Sequence, residues 1–278
     1  MLKIVTDSTA SIPPAICRAL NIDVVPMTIR LGNETFVDGV DPTEQFYDKL
    51  AMSDTVPTTS TPSPGAFLDV YRRLAGEAST IISLHVMETK SAVVSVARMA
   101  AAMLPDVKIH VVDSQSVSLG LGLLAIAAAR AAQMGATAEK VLEMLERMIP
   151  KVEILASMRT LRELRKSGRV SLGQAMMAGV LSIKPILNIS HDVIEVVDKA
   201  RGWPKAVEQM VDSARAKVGE ARVMLAVVHT NAEADARELM ERIKGQFNCV
   251  EAMVAEAGPT LASHAGPGCL GIVTIQVD

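Results

Sequence analysis

The stretch "TIISLHVMETKSAVVSVARMAAAMLPDVKIHVVDS", residues 80–114, decides the fold. Residues 80–86 form a short apolar run rich in β-branched side chains and closed by polar residues, the pattern of a buried strand. Residues 90–104 carry their apolar side chains at helical spacing and predict a helix. Residues 108–114 return to a β-branched run that ends in Asp and Ser. Strand, helix and strand in such close succession predict a βαβ unit, hence a parallel sheet with helices packed on it.

The pattern extends outward in both directions. "LKIVTD" (2–7) reads as a buried strand, and "SIPPAICRALN" (11–21) as a helix with Ser11 as its cap and prolines in its first turn. "VVPMTIRLGNETFVDG" (24–39) places Gly-Asn between two alternating runs, a hairpin signal, and "DPTEQFYDKLAM" (41–52) predicts a short helix with an acidic start. "TVPTTSTPSPGAF" (55–67) is rich in Pro, Ser and Thr and leads into a further helix. Helices are expected near 116–134 and over 138–148. A basic helix is expected over 159–176, stopped by Gly168. "SIKPILNIS" (182–190) and "VIEVVDKA" (193–200) read as an antiparallel pair. A helix (204–218), a strand (222–230), a helix (232–245) and two final strands complete the chain. The expected architecture is α/β in two domains with a ligand cleft between them. Residues 1–160 would hold a largely parallel sheet with helices on both faces, and residues 161–278 a mixed α/β domain.

Composition narrows the function classes. The chain has 278 residues, 49% of them hydrophobic and 21% charged, which predicts a packed core rather than disorder. Aromatics make up only 3%, and the net charge is −3 with no long basic run, which argues against nucleic acid as a partner. The 16 methionines suit core filling, and thioethers also adapt to flexible apolar ligands. Cys17, Cys249 and Cys269 are widely spaced and form no CxxC, so neither a zinc site nor a disulfide framework is expected. The start "MLKIVTDST" already reads as a strand, with no secretory signal. The most apolar stretch runs only 12 residues from Ser118 before meeting Arg130. That falls short of the roughly 20 needed to span a bilayer. A buried helix, no integral membrane segment and a cytoplasmic location are the expectations.

Three hydroxyl-rich clusters follow strands and precede helices: 6–11, 58–64 and 113–120. At equivalent strand ends they would converge on one small anionic group; taken singly, each is also an ordinary helix cap. Near the C-terminus, "SHAGPGCLG" (263–271) spells G-x-G-x-x-G. Residues 272–278 leave no room for the helix, second strand and acidic residue of a dinucleotide site, and Pro267 removes an amide donor. His264 beside this turn is a candidate site residue, and Arg169 and Arg201 could face the same cleft or be ordinary surface charges. The five histidines lie singly, and there is no G-x-S-x-G, Walker A or H-E-x-x-H pattern. No metal and no cofactor are expected. A hydrolase or transferase acting on a small phosphorylated or acylated metabolite through His264 and a strand-end hydroxyl stays open. So does a structural or regulatory role in which the hydroxyls only cap helices.

"IVTDSTAS", "TSTPSPGAF", "VVDSQSVSLGLG", "LRKSGRVS", "IKPIL" and "HAGPGCLG" occur in the order seen in the DegV family, which the chain resembles from residue 2 to about 275. The resemblance implies a non-enzymatic protein that binds a long-chain fatty acid, its tail in an apolar tunnel and its carboxylate at the domain cleft. A separate ATP-dependent fatty-acid kinase subunit would phosphorylate that carboxylate. The implied head-group residues are Ser60, Thr61, Ser91, His264 and Gly266, with Ser116, Arg169 and Arg201 as further ligand or partner contacts. One segment departs from the family pattern. Where small hydroxyls are usual, this chain has Met87-Glu88-Thr89-Lys90, with only Ser91 kept. A glutamate there would repel a carboxylate unless Lys90 or His85 compensates. The departure leaves a different amphiphile open as the ligand.

Overall fold

The structure, a computed structural model, describes residues 2–170 and 183–277. Strands β1 (Leu2–Asp7), β2 (Ile22–Val25), β6 (Thr80–His85) and β7 (Lys108–Asp113) form a parallel sheet in the order β2-β1-β6-β7. Helix α4 (Val93–Ala102) crosses from β6 to β7 as the βαβ pattern requires. Helix α3 (Pro64–Ala75) packs beside it, its buried stripe of Phe67, Leu68, Tyr71 and Leu74 turned to the sheet. The Ser63 side chain caps α3 by accepting the Ala66 N–H. On the other face lie α1 (Pro14–Leu20) and α5 (Ser118–Gln133).

A six-stranded mixed sheet contains β8 (Val152–Ser157), β9 (Ile183–Ser190), β10 (Val193–Arg201), β11 (Arg222–His229), β12 (Asn248–Glu256) and β13 (Leu270–Gln276). Its order is β10-β9-β8-β13-β11-β12, with only β11 and β12 running parallel. Helices α8 (Trp203–Val218) and α9 (Glu233–Ile243) cover its outer face. Helix α6 (Ala138–Met148) comes after α5 and buries Ala138, Val141 and Leu145 at helical spacing.

Helix α5 positions everything else. It is apolar on all sides, and every residue from Ser118 to Ile126 is buried, so neither face is left for solvent. It lies between the two sheets, and one continuous core joins Ile4, Ile82 and Leu121 to Ile154, Val228 and Val273. Two of its glycines permit this close approach. A Cβ on Gly120 would come within 2.9 Å of both Val152 and Ile154 on β8, and one on Gly122 would overlap the Ala10 carbonyl oxygen after β1.

A third, antiparallel sheet of β3 (Thr28–Leu31), β4 (Glu34–Val37) and β5 (Thr58–Ser60) pairs in the order β4-β3-β5. With α2 (Thr43–Met52) it builds a small core of its own from Ile29, Leu31, Phe36, Phe46, Tyr47 and Leu50, closed by Ala262. Phe36 and Phe46 meet edge to face, 5.5 Å between centroids.

Several expectations shift. The Gly-Asn hairpin spans only 28–37, because residues 22–25 pair with β1 instead. Ser11 does not cap α1. It ends a 3₁₀ turn at φ 55°, and its hydroxyl is buried against Ser118, 3.2 Å away. β8 lies ahead of the expected 160/161 boundary yet is hydrogen-bonded between β9 and β13, so the chain changes sheets at the 149–151 turn. The basic helix is α7 (Arg162–Ser167), ended by Gly168 at φ 68°; residues 171–176 of that expected helix and Ser182 of the next strand lie outside the described residues. A short helix not foreseen, α10 (Pro259–Ala265), carries His264.

Candidate functional site

The loops leaving the parallel sheet are tied together by one buried carboxylate. Asp7, at the end of β1, accepts the Thr9 N–H at 3.0 Å and the Thr9 hydroxyl with one oxygen, and the Val86 N–H at 3.1 Å with the other. That second oxygen also meets His85 Nδ1 at 3.0 Å. The imidazole continues to Ser83 at 2.6 Å, and Tyr71 donates to Ser83 at 2.8 Å. Asp7, Ser83 and His85 have no exposed surface, so this Ser-His-Asp series is a structural tie without access for a substrate. It fixes where residues 8–11 and 86–91 stand. The loop after β7 is tied in as well, since the Ser116 carbonyl accepts the Met87 N–H at 2.9 Å.

Beyond these loops lies a cavity of about 390 Å³, within the range of small-molecule sites. Its walls are mostly apolar, with Ile154, Leu187, Ile189, Val228 and Leu261 among them. Hydroxyls of Thr9, Thr59, Thr61, Ser91, Ser118, Thr230 and Thr260, the imidazoles of His229 and His264, and two cations, Lys90 and Arg169, supply the polar part. No Asp or Glu occurs among the described lining residues.

His264 sits in the last turn of α10, where its Nε2 lies 3.2 Å from the Thr59 hydroxyl and its buried Nδ1 has no partner among the described residues. Burial, reinforced by the Arg169 guanidinium, lowers its pKa to about 4. The imidazole is therefore neutral at pH 7, able both to donate and to accept a hydrogen bond. An unfolded histidine titrates near 6.5, so below that pH the unfolded chain takes up a proton the folded one refuses. The contribution to stability is present above pH 6.5 and is lost as the pH falls towards 4. Between pH 7 and 5 the loss is expected to be about 2 kcal/mol, read from urea midpoints. His264→Gln should flatten the profile; parallel profiles for the two proteins would refute the assignment.

The structure brings Thr61, Ser91, Arg169 and His264 together around the cavity and leaves the other expected residues outside its lining. Ser60 is exposed, because side chains alternate along β5 and its neighbours Thr59 and Thr61 take the inner face. The 58–64 cluster also belongs to the small antiparallel sheet, so it is not at a parallel-strand end as expected. Ser116 is buried behind the lining, and Ser118 takes the inward position. Arg201 is exposed at the far end of β10. Gly266 and Gly268, at φ 72° and 78°, let the C-terminal turn lie against another segment. A Cβ on the first would reach within 2.6 Å of Glu163, and one on the second within 2.8 Å of Arg159. Thr230 clamps that turn from the end of β11, donating to the Gly266 carbonyl at 2.6 Å and accepting the Cys269 N–H at 3.0 Å.

The model of the DegV family, described as a family of uncharacterised proteins, matches residues 1–277. The chain belongs to the DegV family. A DegV domain-containing protein of Streptomyces coelicolor is 32% identical over 98% of this chain and 97% of its own length. Among solved structures, a DegV family protein from Thermus thermophilus, described for its fatty acid binding, superposes with a TM-score of 0.92 at 32% identity, covering 99% of both chains. DegV of Bacillus subtilis, described as a fatty acid binding protein, superposes with a TM-score of 0.89 at 27% identity over 99% of both chains.

Against this DegV background the unusual 87–90 segment has a local explanation. Glu88 is exposed and held by Arg98 of α4, whose guanidinium donates to both carboxylate oxygens at 2.8 and 2.9 Å. It is not among the cavity-lining residues, so the expected repulsion does not arise there. His85 is engaged by Asp7 and Ser83 and does not face Glu88's charge as a compensator. Among the described residues no cluster suited to a metal ion occurs, and no helix is long and apolar enough to cross a membrane.

Proposed function

We propose that this DegV protein binds a long-chain fatty acid, with the acyl chain along the apolar wall and the carboxylate at Thr61, Ser91 and His264. It then presents that carboxylate to a separate ATP-dependent kinase in the cytoplasm. The cavity carries this reading: apolar over most of its wall, with hydroxyls, a neutral imidazole and cations gathered in it and no acid among its described lining. A buried carboxylate left without hydrogen bonds would cost several kcal/mol, and Thr61 and Ser91 can donate to it while His264 offers a ring N–H. Roughly fourteen methylenes of a C16 chain, at ~0.8 kcal/mol each, supply ~11 kcal/mol gross before the costs of immobilisation are subtracted. The fatty-acid binding described for the Thermus and Bacillus relatives supports the same ligand class. Phosphoryl transfer to the carboxylate is assigned to the kinase partner, with no cofactor held by this chain.

A hydrolase using Thr59 and His264 is less well supported. Their 3.2 Å separation suits a nucleophile and its base, but a triad also needs an acid to orient the imidazole, and Nδ1 has no such partner among the described residues.

Mass spectrometry of the organic extract of freshly purified protein tests the proposal. A near-stoichiometric long-chain fatty acid is expected, and its loss in a Thr61→Val, His264→Ala double variant. An empty extract, or lipid retained equally by the variant, would sink the head-group assignment.

A further inference from the structure

Lys90 is a cation to which the head-group arrangement of Thr61, Ser91 and His264 gives no task. It comes after two residues whose side chains are engaged elsewhere: Glu88 with Arg98, and Thr89 with Asp192, whose backbone and side-chain oxygens it reaches at 3.0 and 2.9 Å. Lys90 itself is half-buried, lines the cavity beside Ser91, and forms no ion pair with any described residue. Its backbone is held in place, the Lys90 N–H donating to the Met87 carbonyl at 3.3 Å. The loop is anchored in turn by the Asp7–Val86 and Met87–Ser116 bonds. A half-buried ammonium in a cavity without acids has to be compensated by the charge of the ligand or by hydration.

We infer that Lys90 is the residue that makes this site selective for an anionic head group over a neutral one of the same length. The inference rests on the fatty-acid reading above and adds the basis of its selectivity. Hydroxyls and a neutral imidazole also donate to an alcohol or an ester, though less strongly than to a carboxylate, so they read the head group's charge only in part. A cation discriminates further, because only the carboxylate brings an opposite charge to pair with it. Arg169, the other cation on the lining, directs one guanidinium nitrogen to the Ser167 carbonyl at 2.6 Å, which leaves the ammonium as the less committed partner. Side-chain length favours the same residue: the flexible four-carbon stem lets Lys90 track the head group while its methylenes join the apolar wall.

The experiment compares oleate with oleyl alcohol on delipidated wild-type protein and on the Lys90→Met and Lys90→Arg variants, by displacement of a fluorescent fatty-acid probe. Lys90→Met keeps the stem's bulk and removes the charge. It should weaken oleate at least about tenfold while leaving oleyl alcohol within about twofold, and Lys90→Arg should restore most of the difference. The wild-type preference for oleate should also shrink as salt rises, and the variant's should not. Equal weakening of both ligands by Lys90→Met, or no weakening of oleate, would overturn the inference and leave the fatty-acid reading standing. A wild-type protein that binds neither ligand would overturn both.

Discussion

Asp7→Ala is expected to lower the stability of the protein by about 3–5 kcal/mol, the cost of breaking a buried charged tie. The carboxylate has no exposed surface, and its two oxygens hold different loops. Without it the Thr9 and Val86 N–H groups and the His85 Nδ1 lose their partner inside the core, and each orphaned buried group costs about 1–3 kcal/mol. Asp7→Asn should fall between, since its amide keeps one acceptor and turns a donor towards a neighbour that also donates. Urea unfolding measures both. The asparagine variant has a second readout, because the loops it loosens carry Thr9 and Ser91, and its affinity for a bound lipid should drop while the fold persists. An alanine variant within about 0.5 kcal/mol of wild type, the scale of an ordinary surface change, would show that Asp7 does not tie the loops.

Gly122→Ala is expected to reverse the usual sign of its class. In an exposed helix interior the change stabilises by about 1 kcal/mol. Here the new methyl would overlap the Ala10 carbonyl oxygen and sit 3.1 Å from Ile12 and 3.2 Å from Leu119. A backbone oxygen cannot rotate away as a side chain can, so the loop after β1 or the helix itself must move. Overpacking of this kind costs about 1–3 kcal/mol. Thermal midpoints of Gly122→Ala and Gly245→Ala make the comparison clean, since nothing lies within 4 Å of the position a Cβ would take at Gly245. Equal midpoints for the two variants would mean that α5 does not lie this close to the loop after β1.

Much of this architecture is legible in the sequence because the signals are local. The 80–114 run announces β6, α4 and β7, and the unbroken apolar character of 118–129 announces a helix without a solvent face. Pairing partners are not local. The short run "VEILAS" is passed over as a strand, and nothing in it says which sheet it would join, so the expected 160/161 boundary leaves it on the first side. The site divides along the same line. Thr61, Ser91, Arg169 and His264, singled out largely through the family resemblance, line the cavity, whereas Thr59 is overlooked and Ser60 preferred, although the two-residue period of a strand in "TTST" puts Thr59 and Thr61 on one side. The Pro259 to Gly266 spacing signals a short helix, with proline at its first position and glycine just past its end, and the pull of the glycine-rich turn obscures it. Which charges in 87–90 face the cavity depends on Arg98, ten positions from Glu88, and only the fold brings that partner into view.

Helix α5 is floor to one sheet and ceiling to the other, and this has a mechanical consequence. Two-lobed proteins that close over a ligand need a plane along which the lobes part, and such planes carry few packed side chains. Here that plane is filled by a helix whose residues 118–126 are buried, within a core that takes in strands from both sheets. A clamshell motion would expose that core, so under the proposed function the ligand would exchange at the rim of the cavity. There the small β3–β4–β5 sheet, with its separate aromatic core, meets α10.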